Sequence, residues 1–326
     1  MTIKEVAELA GVSPAAVSRY LNGGSLSKAK KEIIKKTIED TGYRPTIAAQ
    51  VMRTGRVNQI GVLVPKVNSD SVSQVLAGIT SELQSKGYMA VLGSYDSEDE
   101  KEIKFLRAME TNQAAGVIVM AMDMTLEKKK AYQSLSMPVV VTGQNFKGFS
   151  CVYHDDYNAM RQLMKKMIQA GRKHIAYIGA IEKDLQAGEA RRRGAQAAFV
   201  EAGYNVKNLP VETVDFTAEE GYEAAKRVLE EYPQTDGILC ASDIIAVGAL
   251  QAIRETGKKA GVDIGIAGVD DMWMDRFQDT PLTSAHLYFK ECGRRAAKLL
   301  MEEISGHKDM KEQVCLDFSI VDRGSL

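Results

Sequence analysis

The stretch that decides the fold of the N-terminal region is IKEVAELAGVSPAAVSRYLN, residues 3–22. Thr2 and Glu5 stand three residues apart, which is the spacing of a capping box, so a first helix is predicted to begin there. Gly11 ends that helix, and Ser13-Pro14 has the pattern of an N-cap followed by the first position of a second helix. Two short helices joined by a glycine-containing turn predict a helix-turn-helix, whose second helix enters the major groove of DNA.

Helix-capping and helix-breaking residues further along the chain predict a third helix and then a linker. Ser27 opens the third helix and Gly42 closes it. Tyr43-Arg44-Pro45 then extends the chain, because proline disfavours helix in the residue before it. A short helical pattern follows from Thr46 to Arg53. We therefore divide the chain into a helix-turn-helix DNA-binding domain over residues 1–45, a hinge helix or linker over 46–57, and a third region over 58–326.

Charge is distributed unevenly between these parts. Residues 1–58 contain ten basic and five acidic side chains, a net charge of +5, whereas the whole chain carries −1. The remainder of the chain therefore carries −6. A basic head on an acidic body is the electrostatic footprint of a protein that binds a polyanion. A solvated surface patch is the alternative that charge alone leaves open.

The head resembles the LacI/GalR family of bacterial repressors. Its signature, V-A-x-x-A-G-V-S-x-x-x-V-S-R-x-x-N, runs from Val6 to Asn22 and is followed by a Y-x-P hinge. The resemblance implies that Arg19 reads guanine through a bidentate hydrogen bond, while Pro14 and Ala15 offer only apolar contacts. It also implies a homodimer on a palindromic operator. The DNA-contacting residues expected on this basis are Thr2, Ser13, Pro14, Ala15, Ser18, Arg19, Asn22 and Met52.

Met52 is the least usual member of that set. Family members insert a leucine from each subunit into the minor groove at the operator centre, and Met52 occupies the matching position. An apolar wedge between base steps unstacks and kinks the duplex. The alternative is that Met52 packs only against its symmetry mate.

From Asn58 onward, apolar runs of strand length alternate with helical stretches. Such alternation predicts parallel sheets covered by helices on both faces. Nine predicted strands are too many for one comfortable sheet, so the fold class is α/β with two doubly wound lobes behind an all-α head. The resemblance implies that residues 58–326 form a periplasmic-binding-protein-like effector-binding and dimerisation domain, whose chain crosses between lobes near residues 156–158 and 285–289. Ligands of such folds bind outside the carboxyl ends of the strands.

The resemblance also locates candidate effector-binding residues in the body. Arg191 and Asp270 can each bind adjacent sugar hydroxyls, while Phe216 can cover the C–H face of a sugar ring. Asp243 is interpreted as a helix N-cap, which favours its neighbour Ser242 as the ligand-binding residue. The full predicted set is Ser71, Gln144, Arg191, Phe216, Ser242, Asp270 and Trp273. For Trp273, the sequence leaves a pocket wall and a plain core position equally open.

The class of effector follows from a narrower similarity. Within the family, Lys147-Gly148-Phe149, Asp155-Asp156 and residues 237–243 are most similar to repressors of trehalose or sucrose-type disaccharide operons. They imply a disaccharide or its phosphate as effector. Lys183 and Arg191–Arg193 would suit a phosphate, and they equally suit water.

Several function classes are disfavoured. The four cysteines, Cys151, Cys240, Cys292 and Cys315, form no C-x-x-C pair, so neither a metal site nor a redox site is expected. No phosphate loop or nucleophile elbow is present, and His154-Asp155-Asp156-Tyr157 is interpreted as a strand end with a helix N-cap. We expect no enzymatic activity and no cofactor. Without a signal peptide or a long apolar run, we expect a bacterial cytoplasmic protein on the nucleoid, with no membrane partner.

Two other regulatory readings remain open at this point. One is a global carbon-status regulator controlled by a protein co-regulator. The other is a regulator that responds to a purine or nucleoside, which melting assays with sugars and purines would distinguish.

Overall fold

The chain forms two compact units, Met1–Val57 and Asn58–Leu326. The computed structural model describes residues 1–21, 24–43, 56–306 and 310–326. Asn22, the predicted hinge helix and the predicted wedge Met52 lie outside the described residues.

The described part of the first unit is helical. Its helices are α1 (Ile3–Leu9), α2 (Pro14–Leu21) and α3 (Lys28–Thr41). The predicted capping box is confirmed, because the Glu5 amide donates to Thr2 Oγ1 and the Thr2 amide donates to the Glu5 carboxylate at 2.7 Å. Gly42 ends α3 in the left-handed region, at φ +63°. Val6 and Ile34 are fully buried in the small core that the helices share.

The second unit is built on two sheets, which with their helices are called lobe 1 and lobe 2. Lobe 1 contains β1 (Val57–Val64), β2 (Met89–Ser94), β3 (Ala114–Met120), β4 (Val139–Thr142), β5 (Ser150–His154) and β11 (Gln313–Leu316). Lobe 2 contains β6 (Ile175–Ala180), β7 (Val211–Val214), β8 (Gly237–Cys240), β9 (Gly265–Asp270), β10 (Thr283–Leu287) and β12 (Phe318–Val321).

Strand order is nearly the same in the two lobes. It runs β11-β5-β4-β3-β1-β2 in lobe 1 and β12-β10-β9-β8-β6-β7 in lobe 2. Neighbours such as β4 and β5, or β8 and β9, pair in parallel, whereas β12 runs antiparallel to β10. Every residue of β4 and β8 is buried, as expected for strands covered on both faces. The predicted two-lobed α/β class is confirmed.

Helices connect and cover these strands. They are α4 (Asp70–Ser85), α5 (Asp99–Thr111), α6 (Leu126–Gln133), α7 (Asp156–Gln169), α8 (Arg191–Glu201), α9 (Ala218–Glu231), α10 (Asp243–Glu255) and α11 (Phe289–Ile304). Helix α4 packs against α11, α7 against α8, and α9 against α10. None of the helices in the described ranges has the length and hydropathy of a bilayer-spanning segment.

The chain passes between the lobes three times. It leaves lobe 1 after β5, returns after β10 and leaves again between β11 and β12, where Asp317 is the only intervening residue. The sequence predicts the first two passages but not the third. Asp155, at the first passage, donates its amide to the carbonyl of Leu316, at the third, at 3.1 Å. The passages therefore lie side by side, which is the arrangement of a hinge between two lobes.

One predicted helix differs from the structure. The sequence predicts a continuous helix over Gly188–Ala202, but residues Leu185–Ala190 form a π-helical turn before α8 begins at Arg191. The turn begins where the Asp184 side chain accepts hydrogen bonds from the amides of Gln186 and Ala187. π-Helical turns occur frequently at functional sites.

Candidate functional site

The exposed face of α2 carries the residues predicted to read bases. Pro14, Ala15 and Arg19 are exposed, whereas Ala16 and Val17 of the same helix are buried in the head core. Residues four apart share a helix face, so Ala15 and Arg19 project from the same side. The side of α2 that could enter a groove is therefore the side that holds Arg19.

Ser13 caps α2 as predicted, because its Oγ accepts a hydrogen bond from the Ala16 amide at 3.3 Å. The unpaired amides of a helix N-terminus favour anions such as phosphate. Ser18 is partly buried, and Thr2 is exposed with its hydroxyl in the capping box.

Gly24, which follows α2, supports Arg19. The Gly24 amide donates to the Arg19 carbonyl at 2.9 Å. A Cβ at Gly24 would lie 2.7 Å from Arg19 Cγ. The absence of a side chain at Gly24 therefore lets the Arg19 stem lie against the turn.

In the second unit, Arg191 is the centre of a set of buried and partly buried polar side chains, here called the Arg191 cluster: Arg191, Asp156, Asp270, Gln144 and Asp184. Arg191 is 4 % exposed. Its Nε donates to Asp156 Oδ1 at 2.7 Å, and its Nη1 donates to the Ala241 carbonyl at 2.5 Å. Its Nη2 lies 3.6 Å from Asp270 Oδ1. Since Asp156 and Arg191 begin α7 and α8, their ion pair joins the starts of two packed helices.

Asp270 ends β9 with a backbone that few residues adopt. Its φ is +124° and that of Asp271 is +54°, in the left-handed region that costs non-glycine residues free energy. Burial raises the pKa of Asp270 well above its usual range; Arg191 opposes this rise, whereas Asp243, Asp156 and Asp70 add to it. The strained turn places a carboxyl group beside Arg191 at the carboxyl end of the sheet.

Gln144 connects the two lobes. Its Nε2 donates to Asp184 Oδ1 at 2.9 Å, and Gln144 follows β4 of lobe 1 while Asp184 follows β6 of lobe 2. Burial raises the pKa of Asp184 to about 6, although its hydrogen bonds from the Ala187 amide and Gln144 oppose the rise. The other amide atom, Gln144 Oε1, is buried and has no hydrogen-bond partner among the described residues.

Asp156 and Asp184 are not among the predicted site residues. The available signal was positional, since each acidic residue lies in a segment that follows a strand of a parallel sheet. Their partners lie far away in sequence: Asp156 is 35 residues from Arg191, and Asp184 is 40 residues from Gln144. Sequence spacing alone could not pair them.

Asp243 has a role different from the one expected, and its neighbour Ser242 occupies the helix N-cap. Asp243 is not the N-cap of α10, because that position is Ser242. The Asp243 carboxylate instead accepts hydrogen bonds from Ser284 Oγ and from the Met272 amide, so it ties α10 to β10 and to the loop after β9. Ser242 is fully buried, and its Oγ has no partner among the described residues. It follows Ala241, whose carbonyl binds Arg191.

The other predicted effector residues are less central. Ser71 Oγ lies 2.9 Å from Ser69 Oγ, near the start of α4. Phe216 is partly buried and packs against the main core. Trp273 is 62 % exposed and contacts the exposed ring of Phe277, so the core interpretation of Trp273 is wrong. The structure thus brings together Arg191, Asp270 and Gln144, with Ser242 beside them.

His154 ends β5 and is 5 % exposed, in edge contact with the ring of Phe289. Burial lowers its pKa, with Asp156 opposing the shift, so the imidazole is neutral at neutral pH. Asp155 caps α7 by accepting from the Asn158 amide at 3.2 Å, which confirms the predicted strand end and N-cap.

Comparison with known families assigns both units. Residues 57–319 match the family model described as periplasmic binding proteins and sugar binding domain of LacI family. Residues 2–46 match the model described as bacterial regulatory proteins, lacI family. The chain belongs to the LacI family. The resemblance predicted from the head is therefore confirmed, and LacI-family proteins are transcription regulators rather than enzymes.

Individual LacI-family relatives cover the whole chain. The HTH-type transcriptional regulator AglR of Rhizobium meliloti is 30% identical over 100% of this chain and 94% of its own length. The structure of a transcriptional regulator CelR–cellobiose complex has a TM-score of 0.77 and 26% identity, over 100% of this chain and 99% of that one. A lac repressor dimer bound to operator and the anti-inducer ONPF has a TM-score of 0.88 at 22% identity, over 100% and 98%. This lac repressor shares the fold of the chain.

A second concave surface of this LacI-family chain lies away from the Arg191 cluster. A groove of about 820 Å³ runs between α9 and α10 in lobe 2, lined among others by Tyr222, Val247, Leu250 and Arg254. None of its lining residues belongs to the Arg191 cluster. A search for a ligand site by cavity size would therefore select this groove, whereas the polar side chains converge at the Arg191 cluster.

Proposed function

We propose that this protein is a homodimeric, sequence-specific DNA-binding repressor of carbohydrate-utilisation genes. A sugar or sugar phosphate bound in the cleft between the lobes releases it from its operator. The observation that carries the proposal is the Arg191 cluster, a buried polar set that spans both lobes through the hydrogen bond between Gln144 and Asp184. Cellobiose in the related CelR complex supports a saccharide effector.

In this proposal residues 1–45 bind DNA, residues 46–57 form the hinge, and residues 58–326 bind the effector and form the dimer. Arg19 reads guanine, Pro14 and Ala15 contact bases through apolar surface, and Thr2, Ser13, Ser18 and Asn22 contact the DNA alongside them. Met52 is the minor-groove wedge. Ser71, Gln144, Arg191, Phe216, Ser242 and Asp270 bind the effector.

The effector acts by changing the angle between the lobes. A ligand shifts such an equilibrium only as far as its affinity differs between the two conformations. The new angle separates the two hinge segments of the dimer, so that the operator is released. The effector therefore acts as an inducer and not as a co-repressor. The protein acts on the nucleoid in the bacterial cytoplasm, and it catalyses no reaction.

Exposed aromatic side chains of lobe 2 offer a surface for the homodimer. Trp273 and Phe277 are 62 % and 73 % exposed and touch each other. Large apolar side chains grouped in water favour a protein–protein interface. We assign Trp273 to the subunit interface instead of the effector site, and the lac repressor dimer supports this assembly.

The experiment selects binding sequences for the full-length chain from a random DNA library. A palindromic site is expected, and Arg19→Ala should weaken binding to it by about 10- to 100-fold for each half-site, since a bidentate contact contributes about 1–3 kcal/mol. Lys35→Ala, an exposed change on α3, is the control and should keep the preference. Sedimentation should show the same dimer for all three proteins. If Arg19→Ala selects the wild-type sequence with unchanged affinity, α2 is not the reading helix.

A further inference from the structure

The Arg191 cluster and its surroundings contain more carboxyl groups than cations. Arg191 donates to Asp156 at 2.7 Å and lies 3.6 Å from Asp270. Asp184 is close enough for the charges of Asp156 and Arg191 to shift its pKa, and Asp70 of lobe 1 shifts that of Asp270 in the same way. Asp156, Asp270 and Asp184 therefore lie around one guanidinium group, and the charge of Asp70 reaches Asp270 from lobe 1.

Neighbouring basic side chains have carboxylate partners of their own. The pairs are Lys183 with Asp99 and Asp123, Arg192 with Glu182, and Arg323 with Asp271. His154 is neutral, because burial lowers its pKa. Lys66 is exposed in the loop after β1, on the rim of lobe 1. The basic residues that would suit a phosphate in the sequence are thus already engaged in the fold.

The polar atoms left for a ligand are mainly acceptors. Gln144 Oε1 is buried without a partner among the described residues, and its position is fixed because the same amide donates to Asp184. Asp270 and Arg191 Nη2 are too far apart, at 3.6 Å, to use up each other's hydrogen-bonding capacity. One hydroxyl group can donate to a carboxylate and accept from a guanidinium. Ser242 Oγ, also buried and unpartnered in the described chain, can do either.

We infer that the effector of this site is an uncharged saccharide, and that phosphorylated and other anionic sugars are rejected. The inference rests on the proposed function, because it concerns the ligand of the same cleft. A neutral sugar brings O–H donors to the carboxyl groups and to Gln144. A phosphate dianion brings none, and its charge repels any of these carboxyl groups that is ionised, with one guanidinium group to balance them.

The test measures calorimetric affinity and melting temperature of the full-length protein with matched sugars. The probes are trehalose, sucrose, cellobiose and glucose, the 6-phosphates of trehalose, sucrose and glucose, and the purines adenine and guanine. At least one neutral sugar should bind saturably, and its phosphate should bind about 100-fold more weakly or not at all.

Two charge-removing variants separate electrostatic rejection from loss of shape. Asp70→Asn keeps the side-chain size but removes a lobe-1 charge that acts on Asp270. It should therefore reduce the difference in affinity between the neutral and the phosphorylated sugar by about 3- to 10-fold. Glu127→Gln, an exposed change in the first turn of α6, is the matched control and should leave the gap unchanged. Lys66→Ala should not alter the affinity for any phosphate.

Each other outcome has a distinct meaning. A phosphorylated sugar that binds as tightly as its neutral form, or loses affinity in Lys66→Ala, overturns the inference and leaves the sugar-controlled repressor standing. Binding of purines alone, or of no probe, overturns both the inference and the carbohydrate effector. Sequence-specific DNA binding would survive either result, because the Arg19 experiment tests it separately.

Discussion

Arg191, Arg192 and Arg193 are consecutive but occupy three different environments. Arg191 is buried with Asp156, Arg192 pairs with Glu182, and Arg193 is 67 % exposed with Glu189 at 3.6 Å. A helix turns by about 100° per residue, so three neighbours cannot share one face. Only the first of them carries a charge that other buried groups depend on.

Replacing Arg191 by Met should therefore cost far more stability than replacing Arg193 by Met. Arg191→Met leaves Asp156 and Asp270 as carboxyl groups without a cation, which should lower the free energy of unfolding by about 3–5 kcal/mol. Arg193→Met should change it by less than about 0.5 kcal/mol, as expected for an exposed site. Urea unfolding of both variants measures the difference, and similar losses would contradict the assigned ion pair.

Two buried carboxyl groups predict that stability falls as pH rises. Burial raises the pKa of Asp184 and of Asp275 to about 6, while both titrate near 4 in the unfolded chain. Between these values the native state holds protons that the unfolded state has lost, so stability is full below about pH 4 and is lost as pH rises through 6. For these groups, urea unfolding should show higher stability at pH 5 than at pH 7.5.

Substitutions test which groups cause this decrease of unfolding free energy with pH, here called the slope. Asp275 is fully buried beside Asp243, and burial together with Asp275 raises the pKa of Asp243 well above its usual range. Asp275→Asn and Asp184→Asn should each flatten the slope between pH 5 and 7.5. A slope that neither substitution changes would show that other groups dominate the pH dependence.

At the residue scale, the sequence predicted part of the candidate site. Arg191, Asp270 and Gln144 belong to the effector-binding set that the family resemblance implies, and the structure brings them together. Asp156 and Asp184 were missed because their roles depend on partners in other elements. The helix-cap role assigned to Asp243 was wrong because burial beside Ser284 gives that carboxylate a partner outside its own helix.

Among the elements, fully buried strands are easier to predict than partly exposed edge strands. β8 is buried along its whole length, and its apolar run is plain in the sequence. β11 and β12 have four residues each, remain partly exposed and add to sheets formed by much earlier strands. Their existence depends on β5 and β10, so a local pattern could not show it, nor the third passage between the lobes.

The contact between α7 and α8 yields a prediction at this scale. A Cβ on Gly194 would overlap the carbonyl oxygen of Tyr157 on α7. Gly194→Ala should therefore push the helices apart and disturb the ion pair between Asp156 and Arg191 at their starts. We expect a loss of about 1–3 kcal/mol in unfolding free energy, as overpacking costs in a close-packed interior.

A matched change on the exposed side of the same helix controls for composition. Val200 is 52 % exposed on α8, so Val200→Ala should leave stability within about 0.5 kcal/mol. Neutral-sugar affinity should fall in Gly194→Ala and remain in Val200→Ala. If Gly194→Ala matches the wild type in stability and in affinity for the neutral sugar, the close helix contact does not position Arg191.

For the whole molecule, the lobes meet away from the hinge through the loop after β6. Leu185 of that loop donates its amide to the carbonyl of Met122 in lobe 1 at 3.3 Å. Lys183 lies 3.4 Å from Asp99 and 3.5 Å from Asp123, also in lobe 1. Those two carboxylates are held in turn by Lys128, which is 2 % exposed. A buried cation thus fixes the lobe-1 side of the contact, while Lys183 can leave it when the lobes separate.

The Leu185 amide can therefore report on lobe opening. Lys183 is 47 % exposed, and ion pairs of this kind contribute about 0.2–1 kcal/mol. Lys183→Met should raise the hydrogen-exchange rate of the Leu185 amide by about 1.5- to 5-fold, since less free energy then opposes opening. Lys147→Met, at an exposed lysine of lobe 1, is the control, and the Tyr177 amide inside lobe 2 is the internal reference. The effect should shrink in 1 M salt, which screens exposed charges. Equal Leu185 exchange in both variants would mean that Lys183 does not hold the lobes together.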